Sequence, residues 1–153
     1  MKRKLKLKKL LMIHNAFKTL NGCNRVVKEN GEEKSVFAPY ALEAKPVRDI
    51  YRNLAALSTI RDWASEAEKT LVAGLNHVPE RAPDAPIQTD AEKTAEASAR
   101  FKKLNEELEK LLESEIEVEL FSITYSDLNI GTKTDQNRIQ SGTLADLDDL
   151  LIY

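Results

Sequence analysis

Three prolines, Pro79, Pro83 and Pro86, fall within residues 77–88 and separate two long amphipathic runs. Proline fixes φ and lacks a backbone N–H, so no helix passes through this segment. Upstream, Val47, Ile50, Leu54, Leu57, Ala64, Ala67 and Leu71 recur at helical spacing, and Tyr51, Ile60 and Trp63 widen the stripe. This spacing predicts a helix over 45–76, about 48 Å long at about 1.5 Å per residue. Pro46 is acceptable in its first turn, where a missing N–H costs nothing. Downstream, Thr89-x-x-Glu92 has the form of a capping box, and Phe101, Leu104, Leu108, Leu111 and Leu112 carry a second helix through 89–114. Two such helices around a proline loop fold most simply as an antiparallel hairpin.

The two ends of the chain carry a different period. Leu5 and Leu7 alternate with Lys4, Lys6 and Lys8, which predicts a strand over residues 2–8. From Leu10 the apolar spacing becomes helical through Ile13, Phe17 and Leu20, with Asn21-Gly22 as a stop signal. Ile116, Val118 and Leu120 alternate with Glu115, Glu117 and Glu119, a strand expected to run from 115 to 123. Pairing the lysine strand with the glutamate strand buries one shared apolar face and sets opposite charges against each other on the other. Cross-strand pairs of this kind contribute roughly 0.2–1 kcal/mol each. Residues 24–42, with Asn30-Gly31 at their centre, read either as a hairpin or as a polar connection. Thr143-x-x-Asp146 predicts the cap of a short final helix holding Leu144, Leu147, Leu150 and Leu151. The expected fold is a single α+β domain over 1–153, mainly α: a long helical hairpin, a small antiparallel sheet and a short C-terminal helix.

Several function classes are disfavoured at this level. The net charge of −2 supplies no general attraction to polyanions. Lys2, Arg3, Lys4, Lys6, Lys8 and Lys9 form a local basic segment that could bind nucleic acid. It has no interleaved aromatics for base stacking, and the glutamate strand offers the same lysines a partner within the chain. The five glycines lie no closer than nine residues apart, so no phosphate-cradling loop is present. No run approaches the ~20 apolar residues that span a bilayer, and Lys6, Lys8 and Lys9 break up the apolar start that a secretory signal needs. A cytoplasmic protein with no membrane partner is expected.

Catalytic and metal chemistry find few candidates. His14 and His77 have no histidine partner at helical spacing, and the single cysteine, Cys23, has only His14 near it in sequence. Asp146, Asp148 and Asp149 do not all share one helix face. The expectation is a non-enzymatic protein with no cofactor and no metal. Tyr51 and Trp63 read as core residues or as interface anchors. With Leu71 and Leu75, they belong to a helix longer than a compact domain of this size usually encloses, so a second chain could cover the surplus.

The segment Phe101 to Leu112, the run Glu115-Ile-Glu-Val-Glu-Leu-Phe-Ser-Ile, Ser126-Asp127-Leu128 and the stretch Thr143 to Ile152 resemble a group of small tailed-phage and prophage proteins of unknown function. The resemblance covers about half of the chain. It implies a phage origin and no settled activity. Together these readings point to a phage-encoded protein-binding module, self-associating into a homo-oligomer or engaging a phage or host protein. Its hairpin would act in virion assembly or as an inhibitor of a host enzyme or defence system, with Tyr51, Trp63, Leu71 and Leu75 as contacts.

Overall fold

Alternation at both ends and helical periods between them produce, in order, β1 (Lys2–Lys6), α1 (Leu7–Thr19), β2 (Cys23–Glu29), β3 (Glu32–Ala38), α2 (Ala44–Leu75), α3 (Asp90–Glu113), β4 (Glu115–Glu119), β5 (Ile123–Thr124), α4 (Ser141–Asp146) and β6 (Leu151–Ile152). The computed structural model describes residues 1–20, 23–38, 40–78, 80–130 and 139–153, with backbone alone for 23–27, 37 and 38. The class is α+β and mainly helical, as the periods predict. The chain divides into two compact units, residues 1–61 with 115–153, and residues 62–114.

In the first unit β1 pairs antiparallel with β4, Lys2 opposite Glu119, Lys4 opposite Glu117 and Lys6 opposite Glu115. The other face of the pair carries Leu5 opposite Ile116 and Arg3 opposite Val118. Leu7, expected at the end of the strand, is instead the first residue of α1 and fully buried. The strand is shorter than its alternation because Leu7 and Leu10 already share the buried helical face. Leu10, Ile13, Phe17 and Leu20 meet Ile50 and Leu57 of α2, Leu120, Ile123 and Leu128, and Leu147, Leu150 and Leu151 in one apolar core.

Residues 23–38 form the hairpin. Asn30 and Gly31 both adopt left-handed φ, 52° and 81°, which the tight two-residue turn between β2 and β3 requires. The final helix differs from expectation. It begins at Ser141, two residues earlier than the proposed cap, with Gln140 at the cap position and no capping side chain. Thr143 therefore lies inside the helix and is buried. A turn of 3-10 helix follows at Asp148–Leu150, and β6 then pairs parallel with β5, Ile123 opposite Leu151.

The strand expected over 115–123 is broken, and the break has a chemical cause. Beyond Glu119, the Leu120 N–H still bonds to Met1 O at 3.1 Å. Phe121 then takes its partner from a side chain: its N–H donates to Asn53 Oδ1 at 2.7 Å, and Asn53 Nδ2 donates to its carbonyl at 2.9 Å. The Asn53 amide thus stands in for one residue of a neighbouring strand. Asn53 is completely buried, and the two bonds tie it to the half-buried Phe121 backbone. Arg52 covers the same residue, its guanidinium 5.2 Å from the Phe121 ring centre.

The second unit contains the C-terminal part of α2, the proline loop and α3. Thr89 and Glu92 form the reciprocal capping box, Glu92 N–H to Thr89 Oγ1 at 3.2 Å and Thr89 N–H to Glu92 Oε2 at 3.0 Å. Such a cap contributes about 1 kcal/mol to its helix. Within the loop, Ala85 N–H bonds to Ala82 O at 2.9 Å and Arg81 donates to Pro86 O at 3.2 Å.

Candidate interaction surfaces

The basic N-terminal segment is held by carboxylates. Lys2 Nζ lies 3.2 Å from Glu117 and Lys4 Nζ 2.9 Å from Glu115, so each lysine reaches along the ladder to the glutamate diagonal to it. Lys9 pairs with Asp149 at 3.5 Å. Arg3, on the apolar side of β1, is half-buried and its Nη2 lies 3.4 Å from Ser122 Oγ. Lys6 and Lys8 also have interaction partners. A phosphate backbone approaching this strand would have to displace Glu115, Glu117 or Asp149 from the lysines it sought.

The Lys4–Glu115 pair makes the sheet sensitive to pH. The hydrogen bond from Lys4, and then its charge, hold the Glu115 carboxyl below its usual range, and Glu115 in turn raises the Lys4 ammonium. A carboxyl depressed in the fold contributes stability that is complete above its unfolded value of about 4.3. That contribution is lost as pH falls through the lower folded value. The raised ammonium contributes below its unfolded value of about 10.4 and ceases to as pH rises through the folded one. Carbon-detected NMR titration should find Glu115 with a depressed midpoint that returns toward the ordinary range in Lys4→Gln. An unchanged midpoint would mean that the pair does not form in solution.

His14 is buried in the first unit with Nε2 3.3 Å from Ser58 Oγ, whereas His77 is exposed. The Cys23 side chain lies outside the described residues; its backbone pairs with Ala38. Asp149 faces Lys9, and Asp148 accepts from the Tyr153 hydroxyl at 3.0 Å, an arrangement that raises the Tyr153 pKa and goes with stacking of Tyr153 on Tyr125. Among the described residues no group of three or more His, Cys, Asp or Glu side chains could hold a metal ion. No helix among them is long and apolar enough to cross a membrane.

Two shallow depressions of the second unit each lie along a single helix. One depression of about 400 Å³ is lined by Ser65, Glu68, Lys69, Val72 and Ala73 on α2. Another, of about 320 Å³, is lined by Glu106, Glu109, Lys110 and Glu113 on α3.

The aromatic and leucine side chains singled out in the sequence lie partly in water. In the first unit Tyr51 is exposed, one residue off the buried position of Ile50. In the second, Trp63 is half in water at 50% exposure, beside buried Ala64, while Leu71 and Leu75 are half-buried. Of the two readings of Tyr51 and Trp63, the core one does not hold; the helix buries Ile50, Asn53, Leu57 and Ala64 instead. The side chain that sequence reasoning passed over is Phe101. Counted there among the apolar residues of α3, it is 64% exposed, and Leu112 is 38% exposed. Leu104, 7% exposed, is the one buried residue of that helix. Comparisons with protein-family models, with curated proteins and with solved structures returned no match.

Proposed function

We propose that this chain is a non-enzymatic protein-binding module whose contact surface lies on its second unit, on α3 and the C-terminal part of α2. The observation that carries the reading is α3 itself. Twenty-four residues of capped helix bury one side chain, Leu104, and leave Phe101 largely in water. Large apolar side chains that line up in water along one helix face form the kind of contiguous patch that another molecule covers. Trp63, Leu71 and Leu75 are the contacts on α2, as their exposed or half-buried surfaces allow. The charge pairing of β1 and the start of α1 argues against nucleic acid as the partner, since Lys4, Lys2 and Lys9 are engaged by Glu115, Glu117 and Asp149. Virion proteins, and host enzymes or defence proteins, are the partners that the resemblance to phage proteins puts first.

The reading is tested by placing a photo-crosslinking amino acid at position 101, at position 63, or at position 34 on the exposed hairpin as a control. Adducts from 101 and 63 are expected. They should disappear when Leu112→Asp is added to a chain whose circular dichroism is unchanged. Adduct yields at 101 and 63 no higher than at 34 would overturn the proposal.

A further inference from the structure

We infer that the exposed face of α3 binds a second copy of this chain, helix against helix and antiparallel. The inference rests on the protein-binding reading above and names its partner. Phe101 and Leu112 are eleven residues apart, which at 3.6 residues per turn places them within about 20° of each other around the helix, with Leu108 close to the same line. The exposed face therefore carries a large apolar group at each end, about 16 Å apart. An antiparallel two-fold arrangement is self-complementary on such a face: Phe101 of each copy meets Leu112 of the other, and Leu108 meets Asn105.

The charges beside this face fit the same arrangement. Residues 100–103 include Arg100, Lys102 and Lys103 and no acid, whereas residues 106–113 include Glu106, Glu107, Glu109 and Glu113 against one base, Lys110. In a two-fold antiparallel pair, the flank bordering the face on one copy meets the same flank on the other. Lys102 and Glu109 both lie on one such flank, roughly 80–100° from Phe101. Each then stands across from the opposite charge of the other copy, twice per pair. In a parallel two-fold pair that flank would instead meet the opposite flank of the other copy, setting Lys102 near Arg100. Among the described residues, the ion pairs Lys69–Glu66 and Lys110–Glu107 leave Lys102 and Glu109 out. Asn105, the one polar side chain on the seam, favours a single register.

Light scattering on the full chain over a range of concentrations tests this. A concentration-dependent rise to twice the monomer mass is expected. Phe101→Asp should weaken association by at least about tenfold, and Lys102→Glu and Glu109→Lys should each weaken it by about tenfold. Because each charge variant repels itself and complements the other, an equimolar mixture of Lys102→Glu and Glu109→Lys chains should regain the mass of a pair. Helix content by circular dichroism separates loss of pairing from loss of fold. A monomer at all concentrations, or a mixture that fails to recover although both chains are folded, would overturn the inference. Adducts from position 101 at a mass other than twice the chain would then leave the binding reading standing; no adducts at all would remove both.

Discussion

Asn53→Ala should destabilise the first unit by roughly 1–4 kcal/mol, because it takes their partner from both the N–H and the C=O of half-buried Phe121, at up to about 1–3 kcal/mol each. Urea titration followed by circular dichroism measures the loss. Asn53 is fully buried, and its amide supplies both a donor and an acceptor to the same backbone residue. Asn53→Asp separates the two bonds. Its carboxylate still accepts from Phe121 N–H, but it presents negative charge to the Phe121 carbonyl. That variant should be at least as unstable as alanine at neutral pH and should recover as pH falls, once the protonated carboxyl can donate to the carbonyl. An alanine variant within about 0.5 kcal/mol of the parent would show that water or a rearranged strand replaces the amide.

Phe17→Ala should cost about 3–5 kcal/mol, the loss of a buried ring together with the cavity it leaves. Phe17 is completely inaccessible and sits among the leucines and isoleucines that α1, α2 and the C-terminal segment bring together. The same substitution at Phe101, a ring largely in water, should change the stability of the isolated chain by less than about 0.5 kcal/mol. This contrast separates the two phenylalanines by role. Equal losses at 17 and 101 would mean that α3 is covered within its own chain, and the proposed interface would lose its basis.

The parts of the fold that were legible in the sequence are those whose signal is local or carried by charge. Asn30-Gly31 announces its turn because both positions need left-handed φ. Thr89 and Glu92 satisfy each other within four residues. The partnership of β1 with β4, and which face is buried, is legible across a long separation because lysines and glutamates alternate at the same period; the register, which a two-residue shift would leave equally charged, comes from the structure. What could not be read depends on distant backbone. Asn53 falls on the buried stripe of α2 and reads there as a polar interruption; only the position of Phe121 gives it a purpose. The split between β4 and β5 follows from that bond. β6 pairs with β5 through residues distant in the chain, which no local pattern encodes. The candidate surface was legible only in outline. Periodicity places Trp63 and Phe101 on apolar arcs, but an arc wider than its partner leaves one side in water, and spacing does not say which side.

The pairing of β1 with β4 also sets an order of events during synthesis. Leu5 stands opposite Ile116, and α1 shares its core with Leu147 and Leu150. At about 5–20 residues per second, the first strand leaves the ribosome roughly 5–20 s before its partner exists. During that interval Leu7, Leu10, Ile13 and Phe17 have none of their distant neighbours, whereas residues 62–114 depend mainly on contacts close in sequence and can fold as they emerge. The nascent chain therefore carries an unpartnered apolar segment until residues 115–151 have been made. The lysines interspersed there act as gatekeepers, keeping that segment in solution until the glutamate strand arrives to neutralise them.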